Sequence, residues 1–237
     1  MNQFWDSALP QNYYDKVVVD GLNNGRGIQA NWHNITFSKI CKLISDSGPH
    51  LDYACGPGTF IGNYLNKGSV GVDISKNQIS FANKKYGSKG VFKNIEDFDY
   101  NNYKSHFESV TVIGLFEYLD NRESTELLDQ LYDLLKPGGK LIITTPNYNI
   151  TMRLLEKLSH LLGPINYSSQ HKSKHQKESL NNLFKKSKFK EFRILKFLNL
   201  GILFSIVSLK LGINMVNLLD NMFKAKIGLL FLVEAKK

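Results

Sequence analysis

Short apolar runs alternate with helical-period stretches between residues 51 and 145, and this alternation predicts most of the architecture. Residues 51–54 read as a first strand and 59–66 as the helix after it. Residues 69–73 (SVGVD) form a second strand, and Ser75 caps the next helix, with Ile79 and Ala82 turned inward. Residues 91–93 are a short third strand and 109–113 (SVTVI) a fourth. Across 122–135, Leu127, Leu128, Leu131, Leu134 and Leu135 make one broad apolar helix face. Lys136-Pro137-Gly138-Gly139 turns the chain into a fifth strand at 140–145. This alternation implies βαβ crossovers and an α/β fold, with a mainly parallel sheet covered by helices on both faces. Ligands in such sheets bind at the carboxyl ends of the strands, where the strand order reverses.

The pattern is weaker at both ends. Residues 1–30 read as irregular, with aromatic side chains at Phe4, Trp5, Tyr13 and Tyr14. Phe37, Ile40, Cys41 and Ile44 then recur at helical spacing until Gly48-Pro49 stops them. After Pro146 a helix is expected over 149–162, with Met152, Leu155, Leu158 and Leu162 at core spacing and Gly163-Pro164 at its end. A polar loop (165–175), a helix (177–187), a strand (189–197) and one or two apolar helices (201–224) follow. A last strand at 227–235 (IGLLFLVEA) returns the chain to its sheet.

With 237 residues and 42% hydrophobic content, the chain suits one globular domain with a full core. The start MNQFWDSALP lacks the basic and apolar segments of a signal peptide. Lys196, Asn199, Lys210, Asn214 and Asn217 interrupt the apolar stretch 194–219, which argues against a spanning helix. Cys41 and Cys55 show no metal-ligand spacing, so neither a metal nor a disulfide is expected, and a cytoplasmic location is the default. The net charge of +9 is uneven: residues 171–196 hold nine Lys and Arg against Glu178 and Glu191, a net +7. A solvated face accounts for such a run, and attraction to a phosphorylated substrate, an acidic membrane surface or RNA is the competing reading.

Candidate chemistry begins at residues 51–60, LDYACGPGTF. An acid, Asp52, ends an apolar run, and Gly56-Pro57-Gly58 turns tightly into a helix, exposing backbone N–H groups and a positive helix end. Asp73 ends the second strand fifteen residues after Gly58, where nucleotide-binding sheets use a carboxylate on ribose hydroxyls; a local cap near Ser75 is the plainer role. Gly56 and Gly58 with Gly62 also resemble a dinucleotide phosphate loop, but Asp52 immediately before them would repel a pyrophosphate.

DYACGPGTF, GVDIS, KNIEDF and LLKPGGKLIITTPN, in this order and spacing, resemble the class I S-adenosylmethionine-dependent methyltransferases of small-molecule type. The resemblance is close over residues 51–147 and looser elsewhere. It implies a Rossmann-like, doubly wound sheet of seven strands in the order 3-2-1-4-5-7-6, with strand 7 antiparallel. It also implies a lid and helix at 1–48, a cofactor-binding core at 49–148, and at 149–237 the rest of the same domain, with a helical substrate-covering insertion and the final strands. The cofactor would be S-adenosylmethionine, leaving as S-adenosylhomocysteine. The backbone of Ala54, Gly56 and Gly58 would pass beneath its methionine part, Asp52 would organise that loop, and Asp73 would hold the ribose. Ile74 would lie on the adenine face, Asn94 and Ile95 would meet the base, and Gly114 and Leu115 would approach the cofactor amino group. Arg26 is the expected partner of the cofactor carboxylate, with Tyr14 among the walls of the pocket alongside Tyr13, Gln29, Trp32 and His33.

Methyl transfer from a sulfonium needs alignment in a dry site, and a hydroxyl or acidic carbon nucleophile also benefits from a base; oxygen is the expected methylated atom, with carbon or nitrogen as alternatives. His171 is the first candidate for that base, with Glu117, Tyr118, His175 and His33 as rivals. Tyr118 stands where many small-molecule methyltransferases carry His, and no (Asn/Asp)-Pro-Pro-(Tyr/Phe) sequence of nucleobase amino-methylating enzymes is present. The expected acceptor is therefore a small or lipid-like molecule, with an anionic head suggested by the basic segment and a peripheral membrane contact as a further candidate. RNA methylation and cofactor binding without catalysis are the alternatives.

Overall fold

The computed structural model describes residues 10–44, 48–66, 68–162, 170–223 and 226–237, with 157–162 as backbone alone. Phe4, Trp5, the side chains of Leu158 and Leu162, the Gly163-Pro164 stop and residues 165–169 of the 165–175 loop lie outside the described residues. Two helices, α1 (Tyr13–Asn23) and α2 (Ile28–Cys41), precede the sheet. The chain then runs through β1 (His50–Tyr53), α3 (Thr59–Tyr64), β2 (Ser69–Asp73), α4 (Lys76–Tyr86), β3 (Gly90–Asn94), β4 (Phe107–Ile113), α5 (Asn121–Leu134) and β5 (Leu135–Pro146). It continues through α6 (Ile150–Leu162), α7 (Lys177–Lys186), β6 (Glu191–Phe197), a 3-10 turn (Leu200–Ile206), α8 (Leu209–Met222) and β7 (Leu230–Lys236).

The seven strands lie in the order β3-β2-β1-β4-β5-β7-β6. The first five pair in parallel, and β7 pairs antiparallel with both β5 and β6. The order and the antiparallel strand 7 are those implied by the resemblance. The order reverses at β1, which lies between β2 and β4, so the crevice for a ligand opens above the ends of those strands. Side-chain alternation builds a core on each face of the sheet. On one side Leu141 and Ile143 meet Leu128 and Leu131 of α5 and Phe184 of α7. On the other Ile142, Leu230 and Leu232 meet Ile40 of α2 and Val216 of α8. Leu128 and Leu131 are fully buried, and each contributes about 1.5–3 kcal/mol by leaving water. A capping box starts α5: Asp120 accepts from the N–H of Glu123 at 2.9 Å, and Glu123 accepts from that of Asp120 at 2.8 Å.

The N-terminal region corrects the sequence reading, because residues 13–23 form a helix and not an irregular segment. Its inward face carries the acid Asp15 beside Val18, which hides the apolar period. Gly21 lets α2 approach: a Cβ there would lie 2.1 Å from that of Ala30. The expected turn at 136–139 is incorporated into β5, since Leu135 already pairs with Phe107 and the register shifts before Ser109. The apolar stretch after residue 200 resolves into one 3-10 turn and one helix.

Candidate functional site

The loop between β1 and α3 turns on three left-handed residues: Ala54 (φ 65°), Gly56 (φ 52°) and Gly58 (φ 74°). Ala54 holds a conformation that disfavours a Cβ by roughly 1–2 kcal/mol. Gly58 is fixed by packing, because a Cβ would lie 2.6 Å from the Phe92 ring. At Gly56 a Cβ would meet nothing within 4 Å, so the loop offers an open cradle there. Asp73, at the end of β2, spans this cradle. Its Oδ2 accepts the N–H of Gly56 at 2.8 Å and its Oδ1 that of Ser75 at 2.9 Å. Ser75 separately caps α4, accepting from the N–H of Gln78 at 3.2 Å.

Asp52 is buried beneath the loop, and loss of water pushes its carboxyl up to about 7 against a hydrogen bond from Thr111. The Thr111 hydroxyl donates to Asp52 Oδ1 at 2.7 Å. The same hydroxyl lies 3.1 Å from His50 Nε2, and His50 Nδ1 lies 2.8 Å from the Ser109 hydroxyl. The His50 ring thus joins both hydroxyls, its tautomer setting which nitrogen donates. Burial lowers the His50 pKa to about 3, which keeps the ring neutral in this chain of bonds. The pairing of β1 with β4 sets it up, placing His50 opposite Ser109 and Asp52 opposite Thr111.

Asn94 is buried at the end of β3. It donates to the carbonyl of Ile74 at 3.0 Å and accepts the N–H of Glu96 at 3.1 Å, so it props the backbone under Ile74 and Ile95, both half-buried. Gly114 (φ 68°) and half-buried Leu115 follow β4 at the same sheet edge. Tyr14 stands edge-on to His33 at 5.9 Å between ring centroids, and burial lowers the His33 pKa to about 4. Arg26 is exposed in the turn between α1 and α2.

Of the candidate bases, Glu117, Tyr118, His171 and His175 are drawn together across the ends of β4 and β5, while His33 stands apart on α2. Glu117 is buried, accepts from Thr145 Oγ1 at 3.1 Å, and has its carboxyl raised to about 7 by burial. Its carbonyl accepts the N–H groups of Lys172 and Ser173 at 2.9 and 3.1 Å, which anchors the segment carrying His171. The His171 ring packs on Tyr118 at 5.1 Å, and Nδ1 lies 2.6 Å from Tyr148 Oη and 3.1 Å from Glu156 Oε1. Burial and the nearby Glu117 and Glu156 hold the Tyr148 hydroxyl in its protonated form. His175 is buried with Nε2 3.1 Å from the Phe116 carbonyl, a structural position.

Tyr148 and Glu156 were not singled out in the sequence, because their partner His171 is 23 and 15 residues away. Asp15 was missed as well. It is buried and accepts from Thr59 Oγ1 at 3.0 Å, Tyr86 Oη at 2.5 Å and Lys85 Nζ at 2.5 Å, joining α1 to the helix after the glycine loop. The basic segment proves partly neutralised. Lys172 pairs with Glu123 at 2.6 Å, Lys188 with Asp133 at 2.9 Å, and Arg193 with Glu234. No group of three or more His, Cys, Asp or Glu able to hold a metal occurs among the described residues.

The open cradle at Gly56, the anchored Asp73 and the buried acid Asp52 suit a cationic methionine tail with an attached nucleoside. Comparison with known proteins points the same way. The family profile described as a methyltransferase domain matches residues 32–191. The ubiquinone/menaquinone biosynthesis C-methyltransferase of Wigglesworthia glossinidia brevipalpis is 26% identical over 60% of this chain and 64% of its own. Malonyl-(acyl-carrier protein) O-methyltransferase 2 of Ilyobacter polytropus is 28% identical over 50% of this chain and 47% of its own. The matches therefore span less than two thirds of these relatives. A crystal structure of an S-adenosylmethionine-dependent methyltransferase from Archaeoglobus fulgidus shares the fold. Its TM-score is 0.59 at 19% identity, covering 86% of this chain and 94% of that one.

Proposed function

Because the chain belongs to the S-adenosylmethionine-dependent methyltransferases, we propose that it transfers a methyl group to an oxygen of a small or lipid-like acceptor by in-line displacement. S-adenosylmethionine, when bound, supplies a methyl already activated on a sulfonium. In this reading the backbone at Ala54, Gly56 and Gly58 carries its methionine part, Asp52 faces the ammonium, and Asp73 takes the ribose hydroxyls. Arg26 and Tyr14 close the pocket from the lid formed by the N-terminal helices, Ile74 and Ile95 wall the adenine, and Gly114 and Leu115 present backbone to the cofactor amino group. Asn94 supports that wall through the Ile74 carbonyl. The division into lid (1–48), cofactor core (49–148) and substrate-covering remainder (149–237) belongs to the same reading.

One observation carries the choice of oxygen: His171 Nδ1 faces the carboxylate of Glu156 at 3.1 Å. Tyr148 and Glu156 both meet Nδ1 and orient the neutral ring, which is the proton-accepting group in this reading. Such a base removes the proton of an acceptor hydroxyl as its oxygen attacks the methyl. Tyr118 and Tyr148 hold the ring in place, and buried Glu117 fixes the segment after it through its backbone. Lys174, over the Tyr148 ring at 5.7 Å, puts a cation beside the base and favours an anionic group on the acceptor. The internal pairing of the basic segment weakens the case for RNA.

The test is formation of S-adenosylhomocysteine with anionic hydroxylated amphiphiles and hydroxylated aromatics. His171→Ala is expected to lower kcat by about 10²- to 10⁴-fold, with cofactor affinity unchanged. Full activity in that variant, or methylation of amines alone, overturns the oxygen assignment.

A further inference from the structure

Among the described residues, fourteen large apolar side chains are exposed, and ten of them lie between Leu200 and Ile227. The 3-10 turn and α8 already bury one face: Ile202, Ser205, Gly212 and Val216 are inside. Their outer face nevertheless carries an apolar stripe, with Ile206 63% and Val207 70% exposed at the junction and Leu211, Leu218 and Met222 aligned along α8 among Lys210 and three asparagines. Exposed apolar side chains gathered in one segment in this way mark a contact surface.

The charges on this face select the partner. Its exposed ionisable residues, among those described, are Lys210 and Lys226. The acid Asp220 is partly buried and accepts from Asn199 Nδ2 at 2.7 Å. The remaining exposed polar positions of α8 are Asn214, Asn217 and Asn221, which are neutral. Apolar side chains with lysines and no exposed acid match the headgroup boundary of an anionic bilayer. A second copy of the same face would add like charge to like. No helix of the described residues is long and apolar enough to cross a membrane, so the contact lies in the interface plane.

We propose that the outer face of residues 200–227 docks the protein on an anionic lipid surface, at the side where the lid is attached. The attachment is direct. Gly27 N–H donates to the Ser205 carbonyl at 2.7 Å, and Leu209 N–H to the Gly25 carbonyl at 2.8 Å, so the docking elements grip the turn on both sides of Arg26. Asn31 adds bonds to Ser205 Oγ at 2.7 Å and to the Leu209 carbonyl at 3.0 Å. An acceptor held in the bilayer is thereby brought to the edge of the site. This deepens the lipid-like acceptor reading, and its test needs neither cofactor nor catalysis.

The experiment is flotation of the full chain with vesicles of phosphatidylcholine alone or mixed equally with phosphatidylglycerol, at low and high salt. Binding to the anionic vesicles is expected, weakening with salt. The double variant Ile206→Asp, Val207→Asp should lose affinity by at least about tenfold. Lys210→Glu should lower the preference for anionic lipid. Unchanged melting temperature and cofactor binding confirm that the variants fold. No association with anionic vesicles at low salt overturns the proposal, as does association that survives the double variant. Concentration-dependent dimerisation abolished by that variant assigns the face to a second copy and also overturns it. Failure here leaves methyl transfer to a soluble acceptor standing.

Discussion

The Asp73 carboxylate accepts the backbone N–H of Gly56 at 2.8 Å, which ties the end of β2 to the glycine loop after β1. Each Asp73 oxygen is held by a backbone N–H, which fixes the carboxylate at the end of β2, the position proposed for the ribose hydroxyls. Asp73→Ala should weaken both S-adenosylmethionine and S-adenosylhomocysteine about a hundredfold, from two charge-assisted hydrogen bonds of roughly 1.5 kcal/mol each. Calorimetric titration of both ligands measures this, and wild-type affinity in the variant would remove the ribose assignment.

Asp52 makes cofactor affinity depend on pH. Its carboxyl titrates near 7 in the free protein, and a cationic ammonium favours the ionised form. Affinity should rise with pH up to about 7 and level off above it, with proton release on binding at lower pH. Asp52→Asn should bind more weakly and flatten that rise. Dissociation constants between pH 5.5 and 8.5 decide the point; an equally steep profile in the variant assigns the titration to another group.

Glu117 sets stability against use. Its folded pKa, about 7, is raised above the ordinary value of 4.5, so its contribution is favourable below the unfolded pKa and is lost as pH rises through 7. Glu117→Gln should therefore raise the melting temperature at pH 8, by the equivalent of a few kcal/mol at most, and much less at pH 4.5. Thermal melts at both pH values give the comparison, and equal shifts would show that the ionised form carries no penalty.

Asp15 fastens α1 to α3 and α4. Three donors, Thr59, Tyr86 and Lys85, converge on a side chain that is 2% exposed. Asp15→Ala leaves those donors without it and should destabilise the protein by about 2–4 kcal/mol. Amide exchange should show α1 losing protection before the sheet does. A uniform loss across the chain would mean that Asp15 supports the whole domain equally.

The parallel strands were legible because strands covered on both faces need apolar runs, and SVGVD and SVTVI supply them between clear turns. Helix α1 was not, because its inward face contains an acid satisfied by residues 44 and more positions away. The same limit applied to the candidate base. His171 was visible as a candidate, but Tyr148 and Glu156 became its partners only when α6 packed beside the end of β5. The basic segment read as a +7 run because its counter-charges, Glu123, Asp133 and Glu234, belong to α5 and β7.

The sequence by itself determined the order of strands and helices, the glycine turn and the acids Asp52 and Asp73, since each depends on local backbone preference or on periodicity over a few residues. The tertiary structure decided which polar groups share a proton, which cations are neutralised and which apolar face of residues 200–227 stays outside. Those outcomes depend on burial and on distances between residues remote in the chain, and no local pattern encodes them.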